Sequence, residues 1–493
     1  MYVTWSSQGS YLATFHRKGI AVWGGQAFEK IGRYAHPGVK AAEFSPGESY
    51  IITCNFIEGD PRAIIVWDVR SSRELRSFPL TINPETSAPH QFKWSFDDSF
   101  IARLGKDKAG TGDVITVYEL PSMGLLDKKS LRADGAREFH WSPAANSLAY
   151  WAPEMGNAPA RVTLVSLPSR DELRQKNLFH VSDCKIHWQA DGEYLCVKVL
   201  RHTKSKKTLF NNFELFRVNA KMIPVESLEI KEQVTAFAWE PRGDRFAIVH
   251  GEGGRPNVSI YTMDGDTGRG GGRECALVRT LESRACNSLY WSPQGGHLLL
   301  TTLGETSGAL EFHDVDHGTS KHEEHYRMTH VEWDPSGRTL CTAVCQPLEG
   351  AFFKFQMDNG FKVWTFQGEL VYEESREAFY QFSWRPRPKS LLTDHQRKAV
   401  VKNLRKYERV FERADRRKQY ARDYAATSAK RALRKAFREQ LAAMNAAAKR
   451  SRALALRAAR GGYDEDDDAN FEVTTSVVEQ MINVTQEDVA NKV

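Results

Sequence analysis

Two groups of residues in this 493-residue chain have types and spacings that could bind phosphate or a metal ion. Glycines at 105, 110 and 112 resemble a phosphate-binding loop, but Thr111 stands where such a loop carries its phosphate-binding lysine. The second group consists of His322, His325, His330, Cys341 and Cys345. Zinc ligands usually come as CxxC pairs or as HExxH on a helix, and neither spacing is present. We therefore predict no metal, no cofactor and no small-molecule substrate.

The sequence gives little support to nucleophilic catalysis either. No Gly-x-Ser-x-Gly elbow occurs, so a propeller-capped serine hydrolase stays only as an enzyme alternative. The seven cysteines are odd in number and share no CxxC spacing, which favours free thiols in a reducing compartment. No apolar run reaches the roughly 18 residues of a membrane span, and the first nine residues lack signal-peptide features. We expect a noncatalytic cytoplasmic protein without a membrane contact.

Charge divides the chain into three regions. Residues 1–390 carry a net charge of −1, residues 391–460 of +15 and residues 461–493 of −8, within a total of +6. We therefore expect a neutral globular domain over 1–390, a basic amphipathic helix over 391–460 and a flexible acidic tail over 461–493.

One sequence motif recurs through the first region. It consists of an aromatic residue, then serine or an acidic residue, often proline, and a short apolar run. The aromatic residues are Trp5, Phe44, Trp94, Trp141, Trp188, Trp239, Trp291, Trp333 and Trp384. Their spacing of 39 to 52 residues matches a four-stranded propeller blade. Runs such as Ala63–Val69 alternate β-branched and aromatic residues, as strands do. The predicted fold class is all-β, a WD40-like β-propeller followed by a long basic α-helix.

The phase of the repeat predicts how the ring closes. The array begins on a first strand at Trp5 and ends on another at Ala378–Trp384, so eight complete blades leave one further strand. An unpaired strand is an aggregation hazard, so we expect it to complete a ninth blade with an upstream segment or to pair with Tyr2–Trp5. Only Trp67-Asp68 shows the Trp-Asp dipeptide at the end of a predicted third strand, so the polar staple of WD40 blades is expected to be mostly missing.

Basic residues concentrate in loops between the second and third strands of the predicted blades. In a meander these loops emerge on one face of the disc, where they favour contact with the phosphates of a polyanion such as RNA. The candidates are Arg17, Lys18, Lys106, Lys108, Lys204, Lys206 and Lys207. The alternative is a set of solvated loops, because the 54–62 loop is acidic. No stacked aromatic residues are expected near these loops, so we expect recognition of RNA shape and phosphate rather than of bases.

The corresponding loop of the eighth blade is aromatic instead. Phe352, Phe353 and Phe355 lie within residues 346–360 and resemble an exposed protein-binding patch. Alternatively, these rings fold back onto the disc or lengthen the strands.

The basic segment has the composition of a long helix. Thr393 and Gln396 have capping-box spacing, Gly461-Gly462 supplies a stop, and Thr427-Ser428 could interrupt the helix. Its first third carries an apolar stripe at steps of three and four, which predicts a partner-binding face. The stripe consists of Val400, Leu404, Tyr407, Phe411 and Ala414. The alternative is that the stripe packs on the propeller rim.

Several sequence segments are more specific than the consensus of a propeller repeat. They include Tyr11–His16, Gly19–Gly25, Pro121–Ser130, Asp183–Trp188, Phe237–Pro241 and Trp384–Pro388. In these the chain resembles the family of the B subunit of eukaryotic translation initiation factor 3. The resemblance implies a noncatalytic scaffold with a nine-bladed propeller that docks on protein and rRNA of the small ribosomal subunit.

The same resemblance implies that the helix recruits the smaller I and G subunits of the factor, and that Tyr407 and Phe411 match positions of the family's helix. The family's RNA-recognition-motif domain has no counterpart before Trp5 in this sequence. A general RNA-binding propeller, whose basic helix wraps nucleic acid, is the alternative function.

Overall fold

The computed structural model describes residues 3–80, 92–107, 110, 112–203, 209–266, 273–346, 358–388, 392–461, 475–480 and 482. The chain divides into two compact units, Met1–Lys389 and Ser390–Val493.

Eight antiparallel sheets follow one another along the described part of the first unit, which confirms the predicted β-propeller. We number them blades 1 to 8. Blade 1 contains β1 (Val3–Trp5), β2 (Tyr11–His16), β3 (Gly19–Gly24) and β4 (Glu29–Ala35). Blade 2 contains β5 (Ala41–Phe44), β6 (Tyr50–Cys54), β7 (Ile64–Asp68) and β8 (Glu74–Phe78). Blade 3 contains β9 (Phe92–Trp94), β10 (Phe100–Lys106), β11 (Asp113–Glu119), β12 (Gly124–Leu125) and β13 (Leu131–Arg132). Blade 4 contains β14 (Glu138–Trp141), β15 (Ser147–Ala152), β16 (Ala160–Ser166) and β17 (Glu172–Leu178).

The second half of the propeller repeats this plan. Blade 5 contains β18 (Val181–Trp188), β19 (Tyr194–His202), β20 (Leu209–Arg217) and β21 (Val225–Ile230). Blade 6 contains β22 (Val234–Trp239), β23 (Arg245–His250), β24 (Asn257–Asp266) and β25 (Arg273–Leu281). Blade 7 contains β26 (Ser288–Trp291), β27 (His297–Thr301), β28 (Ala309–Asp314) and β29 (Thr319–Glu324). Blade 8 contains β30 (His330–Trp333), β31 (Thr339–Val344), β32 (Gly360–Thr365) and β33 (Leu370–Ser375).

Within each blade the strands pair in chain order. In blade 3 the outer position is shared by two short strands, β12 and β13, which both pair with β11. We name the four positions A to D from the first strand to the last. Positions B and C are apolar on both sides and buried, as in β15, whereas position D is mostly exposed, as in β29. The core therefore lies between neighbouring blades rather than within any one of them.

The repeat tryptophans join neighbouring blades in one recurring way. The indole N–H of Trp141 donates to the carbonyl of Lys93, which directly precedes the aromatic residue of the blade before it, at 2.9 Å. Trp239, Trp291 and Trp333 make the equivalent bond to the preceding blade at 3.0 to 3.1 Å. The aromatic spacing in the sequence thus becomes a repeated contact between blades, although the indole N–H groups of Trp94 and Trp188 have no hydrogen-bond partner among the described residues.

The WD40 polar staple, predicted to be mostly missing, is seen in two of the eight blades over the described residues. In blade 2, the Trp67 indole N–H donates to Thr53 Oγ1 at 2.9 Å, and His36 Nδ1 lies 2.7 Å from the same oxygen. In blade 8, Trp364 and His325 contact Thr342 Oγ1 in the same way, at 2.8 and 2.7 Å. In blade 8 the staple forms without a Trp-Asp dipeptide at the end of the third strand, because Thr365 follows Trp364 there.

The prediction of a strand over Ala378–Trp384 is wrong, because residues 376–388 form no strand. Trp384 nevertheless makes the repeat contact, its indole N–H donating to the carbonyl of Glu332 in blade 8 at 3.1 Å. A ninth blade therefore stays a prediction, but the position next to blade 8 is occupied by the aromatic residue that would begin one.

The same segment reaches blade 1. The amide of Gln381 accepts from the Val3 N–H at 3.1 Å and donates to the Val3 carbonyl at 2.8 Å. Arg385 Nε donates to the carbonyl of Gly9 at 2.8 Å, and its guanidinium lies 5.4 Å from the ring centre of Trp5. A single extended segment thus bridges the last blade and the first.

The second unit contains α1 (Asp394–Lys402) and α2 (Leu404–Ala459). The Thr393–Gln396 capping box is present, and Gly461 follows the helix at a φ of +68°. α2 continues through Thr427-Ser428, and the interruption lies at Asn403 instead. There the Asn403 side chain donates to the Ala399 carbonyl at 2.9 Å, competing with the backbone ladder.

Candidate interaction surfaces

The loops between strands B and C and the links from strand D to the next strand A lie on the same side of a meander, and we call this side the B–C face. Arg17 and Lys18 form the two-residue turn between β2 and β3, and both are exposed. Beside this turn is a cavity of about 450 Å³ whose lining includes Lys30 and Arg33. Four cations around one cavity give blade 1 a local positive field that suits a polyanion.

The remaining predicted cations of this face are less informative. Lys106 ends β10, and its Nζ lies 2.6 Å from Asp113 Oδ1, so its charge is largely compensated. Lys108, Lys204, Lys206 and Lys207 lie outside the described residues. The structure therefore brings Arg17 and Lys18 together and leaves the contribution of the other loops a prediction.

The B–C face is not uniformly basic, because the loop of blade 2 carries acids and apolar residues. Backbone N–H donation from Arg62 and the amide of Asn55 lower the pKa of Asp60. Phe56 and Ile57 in the same loop are 47% and 51% exposed. This part of the face suits a protein contact better than a phosphate contact.

Sequence reasoning missed a group of rings on blade 5. Phe179 and His180 form the link between β17 and β18, and the ring centre of His180 lies 5.6 Å from that of His202 at the end of β19. They were overlooked because they are more than twenty residues from the basic loop that follows His202. The signal was available in the topology, since D–A links and B–C loops share one face.

The aromatic residues predicted in the loop of blade 8, Phe352, Phe353 and Phe355, lie outside the described residues. The described edge of that loop is anchored to the closing segment, where the Gln346 N–H donates to the carbonyl of Phe379 at 2.8 Å. A protein-binding role for the three rings stays a prediction.

Two of the residues considered as metal ligands have structural roles in the propeller. His325 belongs to the polar staple of blade 8, and burial lowers its pKa to about 4. Cys341 is buried in the core, where desolvation strongly raises the pKa of its thiol. Among the residues described, no three His, Cys, Asp or Glu side chains come together in a way that could hold a metal ion.

The predicted apolar stripe lies on α1 and α2 across the interruption at Asn403. Val400 and Leu404 are 37% and 55% exposed, and Ala414 is exposed as well. Tyr407 and Phe411 fall within α2, but their side chains are outside the described part.

No helix in the described part of the chain is long and apolar enough to cross a membrane.

Comparison with known proteins agrees with this architecture. Residues 176–382 match the family described as "Eukaryotic translation initiation factor eIF2A". A solved structure entitled "Crystal structure of the eukaryotic initiation factor" superposes with a TM-score of 0.65 at 23% identity, covering 79% of this chain and 91% of that chain. At this identity the likeness establishes the fold alone.

Closer relatives carry the family assignment. The B subunit of eukaryotic translation initiation factor 3 from Xenopus laevis is 44% identical over 414 residues, which is 83% of this chain and 57% of that protein. The protein of the same name from Bombyx mori is 44% identical over 417 residues, or 82% and 57%. The chain therefore spans little more than half the length of these relatives. Over the part it spans, the chain belongs to the family of the B subunit of eukaryotic translation initiation factor 3.

Proposed function

We propose that this chain is a noncatalytic scaffold subunit in translation initiation, which docks its propeller on the small ribosomal subunit and holds other factor subunits with its helix. The observation that carries the proposal is the 44% identity, across more than four fifths of the chain, to proteins named as the B subunit of initiation factor 3. It acts in the cytoplasm by positioning its partners.

Rigidity supports a positioning role. Buried carboxylates in the turns between strands A and B link blade 2 to blade 3 and blade 6 to blade 7, on the face opposite the B–C face. Asp98 of blade 3 accepts from Ser45 Oγ at 2.6 Å and from the N–H groups of Gly47 and Ser49 at 2.8 and 3.1 Å in blade 2. Glu240 of blade 6 accepts from the Gly296 N–H of blade 7 at 2.7 Å. Charged acceptors make the stronger hydrogen bonds, so the disc resists deformation when partners bind.

The B–C face is the side we assign to the ribosome. Arg17 and Lys18 project from the shortest of its turns, beside the cation-lined cavity of blade 1. Phosphate attraction needs only such a local field and no net charge on the domain. Phosphates of rRNA would supply the complementary charge, while the apolar loop at Phe56 and Ile57 would face ribosomal protein.

The helix is the part we assign to the smaller I and G subunits. Val400 and Leu404 keep 37% and 55% of their surface exposed, and a helix with such a stripe gains stability when a partner groove covers it. The rings Phe352, Phe353 and Phe355 are proposed as a second protein contact. Changing Phe352 and Phe353 to serine should weaken assembly and leave propeller melting unchanged; a large drop in melting temperature would make them core residues.

Binding of the full chain to purified small ribosomal subunits tests the docking face. We expect Arg17→Gln with Lys18→Gln to weaken binding and to lower the slope of log affinity against log salt by about 2, because each lost phosphate contact removes about 1. The matched control is Arg70→Gln with Lys221→Gln, two exposed cations in turns on the opposite face. Equal effects of both pairs, or no effect of the first, would contradict the assignment.

A further inference from the structure

The base of the B–C loop of blade 5 gathers three rings and a guanidinium. Phe179 and His180 make up the whole link between β17 and β18, while Arg201 and His202 end β19. The His202 N–H donates to the His180 carbonyl at 2.9 Å, and Val181 pairs with Arg201. The link and the base of the hairpin are therefore one hydrogen-bonded unit.

Two of the three rings, those of Phe179 and His180, are exposed, and the His202 ring is half-buried. Phe179 is 60% exposed although it directly follows Leu178, which is buried at 1%. His180 is exposed and has a φ of +57°, a left-handed conformation that costs energy in a residue with a side chain. Its ring lies at 59° to that of His202. The fold thus keeps an aromatic residue out of the core at a strained position.

The guanidinium of this unit shares a buried carboxylate with a lysine of blade 4. Arg201 Nη2 donates to Glu214 Oε1 at 3.0 Å, and Lys176 Nζ lies 3.5 Å from Glu214 Oε2. The Glu214 side chain is 1% exposed, so two cations surround one buried anion and leave a positive excess. Arg201 Nε has no hydrogen-bond partner among the described residues. Three lysines then follow in sequence at 204, 206 and 207.

We propose that Phe179, with the His180 and His202 rings, is a stacking site for a nucleobase of single-stranded RNA. Exposed rings on a hairpin that also carries cationic residues are the combination that single-strand binders use, because every nucleotide has a base to stack and a phosphate to neutralise. A protein contact would favour a larger apolar patch than one phenylalanine and its neighbours provide. This inference rests on the proposed docking of the B–C face on rRNA and adds base contact to phosphate contact.

Fluorescence anisotropy on the full chain tests the site with two labelled probes: U12 RNA and an abasic 12-mer with the same number of phosphates. Uridines are used because they stack poorly on one another. We expect wild type to bind U12 about tenfold more tightly than the abasic strand, and Phe179→Ala to remove that ratio without changing abasic affinity. Phe179→Trp should retain the ratio. Leu209→Ala, at a 52% exposed aliphatic residue of the same hairpin, is the matched control and should retain it too.

The outcomes separate this inference from the proposed docking. Equal binding of U12 and the abasic strand by wild type would overturn base stacking and leave phosphate docking standing. Failure of both strands to bind would overturn RNA docking itself. If Phe179→Ala keeps its U12 affinity but loses co-purifying factor subunits, the rings are a protein contact and the inference is wrong. Melting curves of Phe179→Ala and Leu209→Ala that match wild type confirm that a lost ratio does not come from unfolding.

Discussion

Replacing Trp384 with alanine should open the junction between blade 8 and blade 1. The indole is half-buried, its ring N–H donates to the Glu332 carbonyl at 3.1 Å, and its main-chain N–H donates to Glu332 Oε2 at 3.1 Å. The ring centre of Phe382 lies 5.2 Å away in an edge-on arrangement. Trp384 thus anchors a segment whose next contacts, through Arg385, are with blade 1.

The size of the effect follows from these contacts. Removing a fully buried aromatic side chain costs about 3 to 5 kcal/mol, so a half-buried one costs about 2, and the lost indole hydrogen bond adds about 1. Unfolding entropy is about 2.1 cal/mol/K per residue, which gives about 0.8 kcal/mol/K for the Met1–Lys389 unit. A loss of about 3 kcal/mol then lowers the melting temperature by about 4 °C. Trp384→Phe removes little beyond the indole bond and should lower it by about 1 °C.

Hydrogen exchange measured by mass spectrometry locates the damage. In Trp384→Ala, peptides from β1, β2 and β30 should exchange faster, while peptides from blade 5, on the far side of the ring, should keep their wild-type protection. The reasoning is refuted if melting and exchange are both unchanged. It is also refuted if exchange rises uniformly around the ring, since that would mean global loosening rather than an opened junction.

The other predictions concern the helix and a buried histidine. Tyr407→Ala with Phe411→Ala in the full chain should reduce co-purification of the I and G subunits more than charge reversal at Lys402 and Arg405. The reason is that burying two aromatic residues contributes a few kcal/mol, whereas exposed ion pairs rarely contribute more than about 1 kcal/mol. If the double alanine variant retains these subunits as well as wild type does, the stripe is not the docking surface. Burial lowers the pKa of His325 to about 4, so the unfolded chain binds a proton at this residue more tightly than the folded chain does. The stability that neutral His325 contributes above pH 6.5 is therefore lost as the pH falls toward 4. Urea unfolding at pH 7 and pH 4.5 should show a loss of about 2 kcal/mol from this residue, which His325→Gln should abolish; an identical pH dependence in the variant would contradict the assignment.

Contacts between residues that are close together in the sequence were predictable. Each blade consists of hairpins between neighbouring strands, so the spacing of the repeat aromatics was enough to predict eight blades and their order. The helix start at Thr393 was equally local, because a capping box spans four residues. The helix interruption was misplaced, since Asn403 acts through a bond to Ala399 that composition does not signal.

Contacts between distant parts of the chain were not predictable in the same way. The Val3–Gln381 pair spans 378 residues, and it forms because a ring of eight blades returns the last segment to the first. The segment needs no strand there, since a glutamine amide satisfies both backbone groups of Val3. Secondary-structure propensities do not predict that a side chain will form the hydrogen bonds that a neighbouring strand would otherwise form.

The sequence by itself determined the propeller, the long basic helix and the family, because each rests on local hydrophobic periodicity or on distinctive phrases. Only the tertiary structure decided which surfaces are composite. The turn of Arg17 and Lys18 shares one cavity with Lys30 and Arg33 of β4, because the meander packs these strands in one blade. The link of Phe179 and His180 lies beside the hairpin of His202, because D–A links and B–C loops share one face. The physical reason is that strand pairing depends on neighbours in the chain, whereas a surface depends on where the closed ring sets its loops.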